Sequence, residues 1–167
     1  DELQVQDVVT WTALIDGYTE HGHGEEGLKC FEDMQLCGIS PNVVTFICSL
    51  KACSIIGATV KGEEIHAEIE RRGLLGGNLV ASTLIDMYAK CGSLTKAEQV
   101  FDKLPGQDTS TWNSLISGYS QYGHSERALN CFKRMQYNGV RPDGVTFVCI
   151  LNACGNIRAE AQGNALH

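Results

Sequence analysis

Histidine, glutamate and cysteine are the residues of this chain whose spacing invites a chemical reading. His66-Ala67-Glu68 has the H-x-E half of a hydrolytic zinc site, in which histidine binds the metal and glutamate moves protons. Such a site also needs a C-x-x-C pair. Cys48 and Cys53, like Cys149 and Cys154, are instead separated by four residues. His21-Gly22-His23 has no cysteine or histidine pair at zinc-finger distance. There is no Walker loop and no G-x-S-x-G. The five histidines therefore read as loop and surface residues, and no catalytic residue, metal or cofactor is expected.

The eight cysteines have a simpler explanation than bridging. Cys30, Cys48 and Cys53 return 101 residues later as Cys131, Cys149 and Cys154, leaving only Cys37 and Cys91 without an image. Reduced thiols behaving as small buried hydrophobes are expected, which favours an intracellular compartment.

The same offset carries the whole pattern. Trp11 to Pro41 reads WTALIDGYTEHGHGEEGLKCFEDMQLCGISP, and Trp112 to Pro142 reads WNSLISGYSQYGHSERALNCFKRMQYNGVRP. Val44-Thr45-Phe46 recurs as Val145-Thr146-Phe147, and His66 as His167. Residues 8–66 and 109–167 share 27 identities in 59 pairs, far above chance, so the chain is internally duplicated. Between the copies the grammar repeats again, in blocks 8–42, 43–77, 78–108, 109–143 and an incomplete 144–167. The complete blocks are 35, 35, 31 and 35 residues long. DELQVQD at 1–7 resembles KLPGQD at 103–108, so residues 1–7 are expected to close a preceding block of a longer array.

Each block reads as two antiparallel helices. Trp11, Leu14, Ile15 and Tyr18 fall at i, i+3, i+4 and i+7, one apolar stripe. Phe46, Leu50 and Cys53 continue the theme, as do Leu84, Ile85 and Tyr88, and then Trp112, Leu115, Ile116 and Tyr119. Breaks are expected near Gly22, Gly57, Gly92 and Gly123. A second helix opens near Glu25-Glu26, where acidic residues suit a positive N-terminus, and buries Leu28, Phe31 and Met34. Gly38 fits a helix C-terminal cap, and Pro41 cannot continue the helix. One such pair cannot bury both its faces, so neighbours must stack. The expected fold is all-α, an α-solenoid of helix-turn-helix repeats with a concave and a convex side.

Charge and hydropathy limit the classes of partner. The net charge of −7 and pI near 5.1 lack the basic footprint of a phosphate-dominated binder. Position softens this, since 12 of the 20 acidic residues fall in second helices, on the expected convex side. No apolar run approaches the roughly 18–20 residues that span a bilayer, so no membrane partner is expected. No signal or transit segment is visible, and a chain that starts inside a repeat would not show one.

These motifs resemble the pentatricopeptide repeat. They stand here as Thr111-Trp112-Asn113, Leu115-Ile116-Ser117-Gly118-Tyr119, Arg127-Ala128-Leu129 with Phe132 and Met135, and Gly139-Val140-Arg141-Pro142-Asp143. The 35, 35, 31 alternation resembles the plant PLS subclass, making 8–42 and 109–143 P-like. Block 43–77 is similar to an L repeat through Leu50-Lys51-Ala52-Cys53 and Glu64-Ile65-His66-Ala67, with 144–167 a partial copy. Block 78–108 is similar to an S repeat through Leu84-Ile85-Asp86-Met87-Tyr88-Ala89-Lys90-Cys91-Gly92.

The resemblance implies sequence-specific recognition of single-stranded RNA, one base per repeat, read by two or three side chains. The implied base-reading residues are the fifth of each repeat with its last: Thr12 with Asn42, Ser82 with Asp108, and Asn113 with Asp143. Ile47 with Gly77 departs from any reading pair, and Val148 and Asp7 are the unpaired members at the two ends. The family's preferences carried over give 5′-A-N-G-U-3′. The second residues Val9, Val44, Leu79, Ser110 and Val145 would stack on bases, Ser110 being the polar exception, and Lys90 is a phosphate candidate. The resemblance further implies an organellar RNA editing (C-to-U) factor, in a mitochondrion or chloroplast, with a protein cofactor of the editing machinery as a further partner.

Two alternatives stay open on the residues themselves. Asn42, Asp108 and Asp143 each precede an apolar-periodic segment, as helix N-caps do. Trp11-x-x-Leu14 and Tyr18 also fit loosely a peptide-binding repeat of the tetratricopeptide kind, although a uniform 34-residue array would not show a 31-residue member.

Overall fold

The computed structural model describes residues 7–164, with side chains from Asp7 to Ile157. Of the expected end of a preceding block at 1–7, residues 1–6 lie outside the described residues, as does the recurrence at His167.

The described chain is helical throughout: α1 Val8–Glu20, α2 Gly24–Leu36, α3 Val43–Ile56, α4 Thr59–Arg71, α5 Asn78–Lys90, α6 Leu94–Asp102, α7 Thr109–Gln121, α8 Ser125–Tyr137 and α9 Gly144–Asn164. A short 3-10 turn, Leu74–Gly76, precedes α5. Capping chemistry sets these boundaries. Asp7, Asn42 and Asp108 sit in extended backbone and accept from the amide three residues on, starting α1, α3 and α7. Most ends are made by glycine in the left-handed region, where other residues carry a Cβ penalty. At Gly38 (φ +75°) the Ile39 N–H reaches back to Met34 O at 3.1 Å, and Gly139 closes α8 in the same way. Gly57 stops α3 with φ +68°; Arg158 holds the corresponding place 101 residues on, and α9 runs through it.

The short 78–108 block loses its residues in one place. Helix α6 has 9 residues where α2, α4 and α8 have 13, so about one turn has gone from the second helix and the first is untouched.

Odd-numbered helices pack in a row, α1 on α3, α3 on α5, α5 on α7 and α7 on α9, each also holding its even-numbered partner. Even-numbered helices are linked to one another mainly by ion pairs across shallow grooves. Lys61 Nζ lies 2.8 Å from Glu32, Lys103 Nζ lies 3.1 Å from Glu70, and Lys96 pairs with Glu63. A close inner row and a splayed outer row give an α-solenoid, concave along the odd helices. One continuous core fills the space between the rows, from Ile15 through Phe46, Leu50, Leu84 and Tyr88 to Trp112 and Tyr119. Phe101 and Trp112 meet edge to face at 4.5 Å.

Two sequence expectations are corrected. His66 is not a loop or surface residue: it lies in α4, largely buried, with Nδ1 2.9 Å from the Tyr88 hydroxyl. Burial lowers its pKa below the usual imidazole value. Leu14 and Tyr18, expected in the apolar stripe, are 40% and 38% exposed, whereas their images Leu115 and Tyr119 are fully buried. Leucine and tyrosine stand at the same two places in both copies; α7 has α5 and α6 against that face, and α1 has no described helix there.

All eight cysteines are free thiols, and burial raises the Cys48 and Cys53 pKa values to about 12. Among the described residues no helix is long and apolar enough to cross a membrane, and no cluster of three metal-ligating side chains occurs.

Candidate nucleic-acid interface

Each inner-row helix sets an exposed second residue beside its fifth residue. Two of the fifth residues reach the start of the next inner helix, Thr12 through Thr45 and Asn113 through Asp143 and Thr146, whereas Ser82 makes no such bond among the described residues. Second and fifth residues are i, i+3 neighbours on one helix face. Val9, Val44, Leu79 and Val145 are between 55% and 69% exposed, a line of apolar side chains open to solvent, and Ser110 is exposed in the same line.

The fifth residues are less open than an exposed polar position would be. Thr12, Ser82 and Asn113 are buried, as is Ile47, while Val148 on α9 is exposed. Each polar one is hydrogen-bonded. Thr12 Oγ donates to Val8 O at 2.6 Å and lies 2.7 Å from Thr45 Oγ. Ser82 Oγ donates to Leu79 O at 3.1 Å. Asn113 Nδ2 donates to Asp143 Oδ1 at 2.9 Å, so the structure joins that fifth residue directly to the last residue of its block.

The last residues cap helices, as their position before apolar segments suggested. Asn42 Oδ1 accepts from Thr45 N, Asp108 Oδ1 from Thr111 N and Asp143 Oδ1 from Thr146 N, each at 2.9 Å. Capping occupies one oxygen of a side chain that has two polar ends, so the other remains available. Asp143 is held below the usual carboxylate pKa, first by the Thr146 amide and then by the Asn113 amide, and is ionised at neutral pH. Gly77 caps α5 with backbone alone and offers no side chain, and Ile47 opposite it is apolar. Asp7 caps α1 through Thr10.

Spacing along the sequence did not reveal the threonines that follow each cap. Thr45, Thr111 and Thr146 are fully buried, and each bonds to the cap three residues before it. Their signal was the recurring Thr three residues after Asp or Asn.

Lys90, the phosphate candidate, stands at the end of α5 with Nζ 2.8 Å from Asp86 Oδ2. It borders a groove on the inner row with Lys51, Asp86, Glu20 and Ile55. His66 and Glu68, the H-x-E pair, do not converge: two residues apart on a helix they point about 200° away from each other. Glu68 is bound by Arg71 and Arg72, which lower its pKa to about 2.

Comparison with known proteins bears on the repeat and the fold. The PPR repeat family model matches residues 6–54 and 107–156, and a PPR repeat model matches 80–108. A pentatricopeptide repeat-containing protein of Arabidopsis thaliana is 37% identical over 166 residues, covering 99% of this chain and 21% of that protein. The chloroplastic pentatricopeptide repeat-containing protein CRR2 of the same plant is 39% identical over 166 residues, 98% of this chain and 25% of its own length. The chain thus spans about a fifth to a quarter of these relatives. Among solved structures, the pentatricopeptide repeat protein PPR10 in complex with an 18-nt psaJ RNA element superimposes with a TM-score of 0.77 at 19% identity, over 94% of this chain and 24% of PPR10. With the repeat models covering most of its length, the chain belongs to the PPR (pentatricopeptide repeat) family.

Proposed function

We propose that this chain binds single-stranded RNA by sequence, one base per repeat, and does no chemistry itself. The repeats are 8–42, 43–77, 78–108, 109–143 and the partial 144–167, in P-like, L-like, S-like, P-like, L-like order. The observation that carries the reading is the Asn113–Asp143 hydrogen bond at 2.9 Å, which makes one polar unit from two residues 30 apart, beside exposed apolar side chains on the inner row. Base planes would lie against Val9, Val44, Leu79 and Val145, and base edges would meet the paired polar groups. The solved PPR10 structure bound to a psaJ RNA element has this fold and supports the reading.

The chemistry of the pairs gives a selection rule. Guanine and uracil carry a proton on the ring nitrogen of the Watson–Crick edge, whereas adenine and cytosine have a bare acceptor there. A carboxylate at the last position therefore suits guanine or uracil, and an asparagine, whose amide group donates, suits adenine or cytosine. The fifth residue then chooses by size: a short Ser or Thr leaves room for a purine, and the longer Asn reaches a pyrimidine. Thr12 with Asn42 selects adenine, Ser82 with Asp108 guanine, and Asn113 with Asp143 uracil. Ile47 with Gly77 supplies no edge partner, giving 5′-A-N-G-U-3′. Replacing Asp108→Asn is expected to turn the third preference from guanine to adenine by about fivefold, on the scale of one hydrogen bond. Anisotropy titrations with the four third-base variants check this, and unchanged guanine preference would reject the assignment.

The cellular setting follows the relatives. Several are named chloroplastic, and we place this chain in a plant organelle, chloroplast or mitochondrion, as the target-recognition segment of an RNA editing factor whose deaminating activity is supplied elsewhere, with a protein cofactor of the editing machinery as a further partner. Lys90 would exchange Asp86 for a phosphate on binding.

A further inference from the structure

We infer that Thr146, and in the same way Thr45, is a positioning residue for base reading: from the third place of one repeat it holds the reading pair of the repeat before. The inference rests on the reading pairs proposed above. Thr146 Oγ accepts from the Asp143 N–H at 3.0 Å, and its one proton faces two acceptors, Asn113 Oδ1 at 2.5 Å and Asp143 Oδ1 at 3.0 Å, of which Asn113 is the nearer. With Oδ1 fixed there, Asn113 Nδ2 faces Asp143 Oδ1 at 2.9 Å, an oxygen already held by the Thr146 N–H at 2.9 Å. Turning the amide over would set two acceptor oxygens against each other. What remains for a ligand is one N–H of Asn113 and the second oxygen of Asp143, a donor beside an acceptor, which complements O4 and N3–H of uracil.

Thr45 does the corresponding work one period earlier. Thr12 has spent its proton on Val8 O, so the Thr45 hydroxyl can donate to Thr12 Oγ at 2.7 Å or to Asn42 Oδ1 at 3.0 Å. With the Thr45 N–H also on Asn42 Oδ1, the Asn42 Nδ2 group is left outward as a donor and Thr12 Oγ as an acceptor, the complement of adenine N1 and N6. The contrasts follow the same logic. After the repeat that has no polar pair, the third residue is Val80, buried and without a hydroxyl. Thr111 is intermediate: it binds Asp108 through its amide at 2.9 Å and the Asp108 carbonyl through Oγ, and makes no hydrogen bond to Ser82 among the described residues.

The test uses the full chain with Thr146→Val, which keeps the shape and lacks the hydroxyl, and Thr146→Ser, which restores it. Anisotropy with A-N-G-U and its three other last-base forms is expected to show the uracil preference falling roughly fivefold in Thr146→Val. The guanine preference one base earlier should be unchanged, and serine should recover the wild-type ratio. In the free protein, nuclear magnetic resonance should show the Asn113 side-chain amide pair well separated in wild type and Thr146→Ser and averaged in Thr146→Val. An equal loss of affinity for all four last bases, or a loss accompanied by lost helix, marks a purely structural role and overturns the inference. Asn113→Ala separates the two levels. If it leaves the last-base preference intact, the base-reading assignment itself fails. If it abolishes the preference while Thr146→Val changes neither the preference nor the amide signals, only the positioning role is wrong.

Discussion

Changing Asn113→Thr is expected to move the last base preference from uracil to guanine, with a swing of about tenfold or more. Asp143 is unaltered and still asks for a protonated ring nitrogen, which both bases have. The fifth side chain shortens, withdraws the Nδ2 donor that now bonds Asp143 at 2.9 Å, and opens the space a purine needs. A well-placed pair of edge contacts discriminates by about 1–3 kcal/mol in base readout, so the change is large enough to read with four probes that differ only at the last base. The other preferences should stay put, because Thr12 and Ser82 belong to different pairs and make no contact with Asn113 among the described hydrogen bonds. Tighter binding to the uracil probe by Asn113→Thr would contradict the size rule.

Replacing Leu115→Ala is expected to destabilise the chain by about 3 kcal/mol, within the range for a fully buried leucine. Leu14→Ala should cost less than about 1 kcal/mol. The two leucines occupy the same place in the duplicated sequence, and only packing distinguishes them: Leu115 is 0% exposed and Leu14 is 40% exposed. Denaturant unfolding followed by circular dichroism measures both. Adding a preceding S-like repeat is expected to raise the Leu14→Ala cost toward that of Leu115→Ala, since α5 and α6 are what cover α7. Equal costs in the present chain would mean that the end face is not open.

Periodicity made the fold legible. Gly22, Gly57, Gly92 and Gly123 marked the turns and do take positive φ, because no other residue enters that region without strain. The 31-residue block was read as a variant, and the structure locates its missing turn in α6. Burial was legible for Ile15, Phe46, Leu84 and Trp112. It was misread at Leu14 and Tyr18, because a helical stripe records what a face can bury and not whether a neighbour is present. His66 was misplaced for a related reason: its Tyr88 partner is 22 residues away on another helix.

For the candidate site, the resemblance singles out the fifth and last residues, and the position of the last ones before apolar segments also reads as a helix cap. The structure shows the caps, and these leave room for a second contact. A cap uses one oxygen, and Asn42 or Asp143 has a second polar end. Thr45 and Thr146 were overlooked because a buried threonine in a helix has many uses, and only the hydrogen bonds to Thr12 and Asn113 across neighbouring helices distinguish this one.

The acidic balance bears on how any RNA would be held. On the outer row Lys61, Lys96, Lys103 and Arg134 each face an acidic residue of the preceding even helix, and Lys90 on the inner row is paired with Asp86. Cations so engaged must give up a carboxylate to meet a phosphate, as Lys90 would, so affinity should depend mainly on bases and only weakly on salt. The most direct measurement is fluorescence anisotropy with a short single-stranded RNA carrying A-N-G-U in a neutral context against a scrambled probe, at two salt concentrations, with flanking repeats fused if needed to raise affinity. Tighter binding to the ordered probe, by a ratio that holds at both salts, is the predicted result. Binding that ignores base order, or no binding even in the lengthened array, would contradict RNA reading by the paired positions and favour a protein-binding scaffold.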